Sequence, residues 1–262
     1  MITRRVNGGD SGSQPAGGQI IQFVPRQPHG IRRIRNPLRP IRRPPDYFAP
    51  LDRTGDAFPP DEQTFHGARA VAGAIGDADI DERLLRWLSQ VPLTDMRAFA
   101  RRGGRIVFAS SFLGAANGDE ANRRRGRPLD PATYSAYADF DRTAVFGAYD
   151  DELDWMIFTG SARSIDGERL VLHEFGHAMT VPLWMRRAHL RADLLLGLPT
   201  QIDDVLKQYR QGDDMIAIRE RVLEALAEAY AWMCLGRWSE LPERLRSIVW
   251  SVAACNALPQ AG

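Results

Sequence analysis

Arg169-Leu170-Val171-Leu172-His173-Glu174-Phe175-Gly176-His177-Ala178-Met179 is the segment from which the rest of the chain is read. The apolar run at 170–172 and the pair Ala178-Met179 predict a helix that is apolar on the side opposite the two histidines. On a helix, positions i and i+4 share a face, so His173 and His177 can reach one metal ion. Glu174 lies one position round. It is thereby kept out of the ligand shell but left beside the metal, where it can take a proton from water. The competing reading of the same residues is a partly exposed helix that carries two His by accident.

Two His leave a catalytic zinc site one protein ligand short, so a third must come from elsewhere. A metzincin would place His six residues after His177, but position 183 is Leu. A thermolysin-like enzyme would place Glu about twenty residues on, where the chain reads Gly197-Leu198-Pro199-Thr200. The next carboxylate-rich helix is predicted at 216–232. Glu220, Glu224 and Glu228 recur there every four residues, with Val222, Leu223, Leu226, Ala229 and Tyr230 as apolar contacts. On an isolated helix such a stripe is a solvated face.

The two segments together resemble a family. His173-Glu-Phe-Gly-His-Ala178 followed by Glu224-Ala-Leu-Ala-Glu-Ala-Tyr230 is similar to the HEFGHA and E-x-x-A-E-x-[FY] pair of the anthrax lethal-factor-like zinc peptidases, and the 47 residues from 177 to 224 are close to that family's gap. Upstream, 84–92 and 96–108 are similar to its opening helix, helix and strand. Val145–Tyr149 with Trp155–Phe158 resembles its hairpin before the metal helix. The likeness spans roughly residues 80–250, and its two metal motifs are the specific part.

What the resemblance implies is an α+β, zincin-like fold: a small mixed sheet, a metal-binding active-site helix and a mainly helical C-terminal part. It implies His173, His177 and Glu224 as ligands of Zn2+, Glu174 as general base, and Glu228 as the carboxylate that orients a ligand His. The implied activity is endoproteolysis of a protein or peptide substrate held along the hairpin's edge strand, by a bacterial toxin or effector. One element departs from the pattern. The family places Tyr a turn or two before the third ligand, whereas 216–219 read Ile-Ala-Ile-Arg; Tyr209, fifteen residues before Glu224, is the Tyr that could reach the site.

Composition sets an arm at 1–60 apart from a domain-sized remainder, 61–262 of the 262 residues, which the resemblance implies is the zinc peptidase domain. The formal charge of +1 hides an asymmetry: residues 1–50 hold nine Arg against Asp10 and Asp46, a net +7 that leaves the remainder near −6. Ten of the 17 Pro fall at 15–60, and their density from Pro25 to Pro60 precludes a continuous helix or central strand there. Arg32-Arg33, Arg35, Arg39 and Arg42-Arg43 have no aromatic platform beside them, so a solvated arm is expected rather than stable nucleic-acid binding.

No 15-residue apolar run follows Met1-Ile-Thr-Arg-Arg5, so neither a Sec signal peptide nor a membrane span is expected. The near-total use of Arg over Lys, with Lys207 alone, suits a GC-rich bacterium. Synthesis in the bacterial cytoplasm with delivery to a host or target cell follows from that and the resemblance. Cys234 and Cys255 read as core or free thiols.

Further elements are expected as helices at 81–90 and 93–102, a strand at 105–110, and a loop carrying Arg123-Arg124-Arg125 and Pro128. Asp130-Pro131 should cap a helix running through Tyr134 to Phe140. Pro182 should stop the metal helix, a helix should follow at 189–198 with His189 on the surface, and a core helix should occupy 242–257. Three function classes stand: a zinc endopeptidase, a catalytically inactive zinc-bearing domain that binds a partner, and a nucleic-acid or membrane binder run by the arm.

Overall fold

Asp61 starts the first helix by accepting a hydrogen bond from the Gln63 N–H at 3.0 Å, satisfying one of the donors a helix start leaves open. The computed structural model describes residues 58–143, 145–159, 167–188, 192–209 and 211–257. The helix is α1 (Glu62–Val71), followed directly by β1 (Ala72–Ile75), α2 (Glu82–Leu88), α3 (Leu93–Arg101) and β2 (Arg105–Ala109). α2, α3 and β2 lie where the sequence predicts them. α1 and β1 are additional to the expected elements; Ala-Gly-Ala-Ile carries little strand signal on its own.

β4 (Trp155–Thr159) pairs parallel with β2, and β3 (Gly147–Asp150) pairs antiparallel with β4, giving the sheet order β1-β2-β4-β3. The two central strands, β2 and β4, are buried on both sides and read as nearly continuous apolar runs, whereas the edge strand β1 is only partly buried. Alternate residues divide between two cores. Val107, Ala109, Ala148, Trp155 and Ile157 pack with Phe112, Tyr137 and Phe140, whereas Ile106, Phe108, Tyr149, Met156 and Phe158 face the larger core. The fold is thus α+β with a small four-stranded mixed sheet, as expected.

The stretch read as a loop is helical. α4 (Phe112–Ala116) starts at Ser111, which caps the Gly114 N–H at 2.9 Å. α5 (Asp119–Arg125) has acids in its first turn and arginines in its last, which suits the helix dipole, and closes on Gly126 at φ 73°. Arg125 is buried between Glu152 and Asp150, so it is a core ion-pair residue. Asp130 caps α6 (Pro131–Thr143) as expected, accepting from Ala132 and Thr133 N–H at 3.1 and 3.0 Å.

α7 (Gly167–Ala188) carries the histidines and corrects one expectation: it does not stop at Pro182. Proline removes the N–H that would bond to the carbonyl four residues back. That carbonyl, of Ala178, instead accepts from the Arg102 guanidinium at 2.7 Å, so it is not left unsatisfied. Beyond it the helix expected at 189–198 is, among the described residues, a single 3-10 turn at Ala192–Leu195 ended by Gly197 at φ 72° and Pro199. His189 lies outside the described residues, as does the arm up to residue 57; Phe58 already packs on the larger core.

The C-terminal part is helical. α8 (Thr200–Leu206) leads to α9 (Met215–Cys234), capped by Asp214, and α10 (Glu243–Ala257) buries Leu245 and Val249 as predicted. Cys234 is a buried free thiol. Among the described residues no helix is long and apolar enough to cross a membrane.

Candidate metal centre

α7 and α9 meet backbone to backbone at Gly176. A Cβ there would lie 2.6 Å from the Ala227 carbonyl oxygen and 2.9 Å from its Cα, so only glycine permits this approach. The helices run antiparallel. Arg169, His173 and His177 descend one face of α7 at four-residue intervals, opposite Glu228 and Glu224 on α9.

The result is a convergence of donor atoms. His173 Nε2 and His177 Nε2 are 3.1 Å apart, and Glu224 Oε2 lies 3.2 Å from the first and 3.4 Å from the second. A tetrahedral ion with bonds of roughly 2.0–2.1 Å spaces its ligand atoms about 3.3–3.4 Å apart, so these separations fit three corners of such a site. His173, His177 and Glu224 can therefore hold a metal ion. Of the predicted stripe, Glu224 enters this cluster, Glu228 stands behind it, and Glu220 is half-buried one turn away.

Four buried ionisable groups packed together show what the site lacks in charge. Burial alone would push the Glu224 and Glu228 carboxyls up, but the imidazoles beside Glu224, and His173 with Arg169 beside Glu228, hold each down at about 2. Burial would push the His173 imidazole down, yet bonds to Glu224 and Glu228 carry it up to about 10. The cluster draws positive charge to its centre, which a proton on His173 supplies and a divalent cation would supply better.

Glu174 is wholly buried, and neither carboxylate oxygen has a well-formed hydrogen bond to protein. Burial raises its pKa; the imidazoles and the nearby Tyr149 backbone N–H offset only part of that. A buried carboxylate so weakly bonded is costly unless something else meets it, as water at a metal would. Gly147 on the edge strand β3 is close by: a Cβ there would come within 3.6 Å of Glu174 Cγ.

Tyr209 is brought to the site. Its phenol is buried against Glu224, and burial followed by that carboxylate's charge pushes its pKa well up, so it stays protonated. Two residues the sequence reading gave no role also belong here. Arg169 Nη1 and Trp232 Nε1 donate to Glu228 Oε1 at 2.7 and 2.9 Å, while Glu228 Oε2 faces His173 Nδ1 at 3.0 Å. Their signal was present: each continues its helix's four-residue spacing by one turn.

No family model matches the chain, and no curated protein matches it.

Proposed function

We propose that this protein is a zinc-dependent endopeptidase of the lethal-factor-like kind, acting on a protein substrate as a bacterial toxin or effector. The observation that carries the proposal is the pairing of His173, His177 and Glu224, at tetrahedral spacing, with the buried carboxylate of Glu174, neither oxygen of which has a well-formed hydrogen bond. Bound by those three side chains, zinc would polarise a scissile carbonyl and acidify a water molecule.

The chain's own groups then divide the remaining work. Glu174 accepts the attacking water's proton on its carboxylate and passes it to the leaving amine nitrogen; burial, which raises its pKa, strengthens it as a base. Tyr209, protonated throughout, donates to the oxygen on which negative charge develops. Glu228 keeps a proton on His173 Nδ1 and so leaves Nε2 free to ligate. β3, at the edge of the sheet and beside Glu174, would hold an extended peptide by main-chain hydrogen bonds.

The test is Glu174→Gln. The purified variant should retain zinc while cleavage of a proteome-derived peptide library, read by mapping new N-termini, is lost. Retained cleavage would remove Glu174 as base. Wild-type protein that binds zinc but cleaves nothing would favour the partner-binding reading.

A further inference from the structure

Glu228 sits with 1 % of its surface exposed, and both of its oxygens are engaged. Oε2 faces His173 Nδ1 at 3.0 Å, and Oε1 accepts from Arg169 Nη1 at 2.7 Å and Trp232 Nε1 at 2.9 Å. Each donor lies one turn from a site residue on its own helix: Arg169 precedes His173 on α7, and Trp232 follows Glu228 on α9. The indole is itself fixed. Arg237 lies over it at 3.7 Å and is held in turn by both oxygens of Glu240 at 2.8 Å.

We infer that Trp232 and Arg169 are positioning residues for the metal site, acting through Glu228 to hold His173 with Nε2 aimed at Glu224 and His177. A carboxylate bound through one oxygen alone can swing about its Cγ–Cδ bond. Two donors on Oε1 from different helices prevent that swing and fix Oε2 on Nδ1. An indole N–H only donates and an arginine stays charged, so neither can reverse its role when the site changes protonation. The partner of the non-ligating nitrogen decides a histidine's tautomer and ring orientation, so a fixed Oε2 fixes the ligand.

The inference rests on the metal-centre reading, and the experiment separates the two. Zinc dissociation constants are measured by chelator competition for the full chain and for Trp232→Phe, Arg169→Met, Glu228→Ala and the Trp232→Phe/Glu228→Ala double variant. Phe keeps a ring beneath Arg237 while removing the donor; Arg169 is 28 % exposed and tolerates truncation if the indole does not. Each donor variant should bind zinc about tenfold more weakly, at the low end of the penalty for disturbing a ligand's partner. The double variant should be no weaker than Glu228→Ala alone, because the donors act only through that carboxylate.

In the zinc-loaded protein, the downfield Nδ1–H proton resonance of His173 should move upfield in both donor variants. Wild-type affinity and an unmoved resonance in folded Trp232→Phe and Arg169→Met, or an equal loss in the Glu228→Ala background, would overturn the positioning role while sparing the metal site. A wild-type chain that takes up no zinc would overturn both.

Discussion

His173 is the residue on which the site's charge balance turns. Its imidazole rises from 6.5 to about 10 because two buried carboxylates outweigh the effect of burial. The raised value makes a contribution to stability that is complete below pH 6.5 and lost as pH climbs through about 10. Glu224 and Glu228, lowered from 4.5 to about 2, contribute above pH 4.5 and cease to do so as pH falls through about 2. Metal-free protein should therefore melt highest between about pH 4.5 and 6.5, measured by thermal scans across pH. Zinc must displace the proton on His173 Nε2. At pH 7.5, binding should release close to one proton per chain, read by calorimetry in two buffers of different ionisation enthalpy. Release of none would mean that His173 is neutral beforehand and that the two glutamates do not act on it together.

Among helices, the contact of α7 with α9 at Gly176 sets the site. In an open helix, Gly→Ala gains roughly 0.5–1 kcal/mol. Here the added methyl meets backbone 2.6 Å away, which cannot yield as a side chain can, and overpacking of this kind costs about 1–3 kcal/mol. Gly176→Ala should lower the melting temperature and weaken zinc binding by moving Glu224 off the histidines. A variant as stable as wild type with unchanged affinity would show that close approach is not what assembles the ligands. The motif disclosed the His pair, and the four-residue stripe disclosed that α9 had a special face. The same spacing reaches Arg169 and Trp232 one turn further on, but spacing gives neither a partner, and their roles exist only once Gly176 brings the helices together. Pro182 misled for a similar reason: its breaking tendency is answered by Arg102, 76 residues from the Ala178 carbonyl it serves.

Across the whole molecule, α2, α3 and α10 were legible in the sequence, α6 through its Asp130-Pro131 start, β2 as a strand, and the hairpin of β3 and β4 through the family resemblance. Those missed were short or depended on partners. β1 is four residues that become a strand by pairing with β2, and α4 and α5 are five and seven residues held by caps and by the buried Arg125. The arm's composition shift placed its boundary at 60, yet Phe58 packs on the larger core and Asp61 caps α1. Deleting residues 1–57 should leave melting temperature and zinc content unchanged. Deletion through residue 61 should cost about 1 kcal/mol for the cap, plus the Phe58 contact. An insoluble or metal-free product of the shorter deletion would place the arm in the folded unit.

The claim that joins these scales is that α7 and α9 together hold one zinc ion through His173, His177 and Glu224. Zinc K-edge X-ray absorption on the purified, stoichiometrically loaded chain reads the ligands directly. The expected spectrum shows two imidazoles and carboxylate oxygen at roughly 2.0–2.1 Å with no sulfur. A sulfur shell near 2.3 Å would assign the ion to the cysteines, and that result, or failure to load one zinc per chain, would contradict the account.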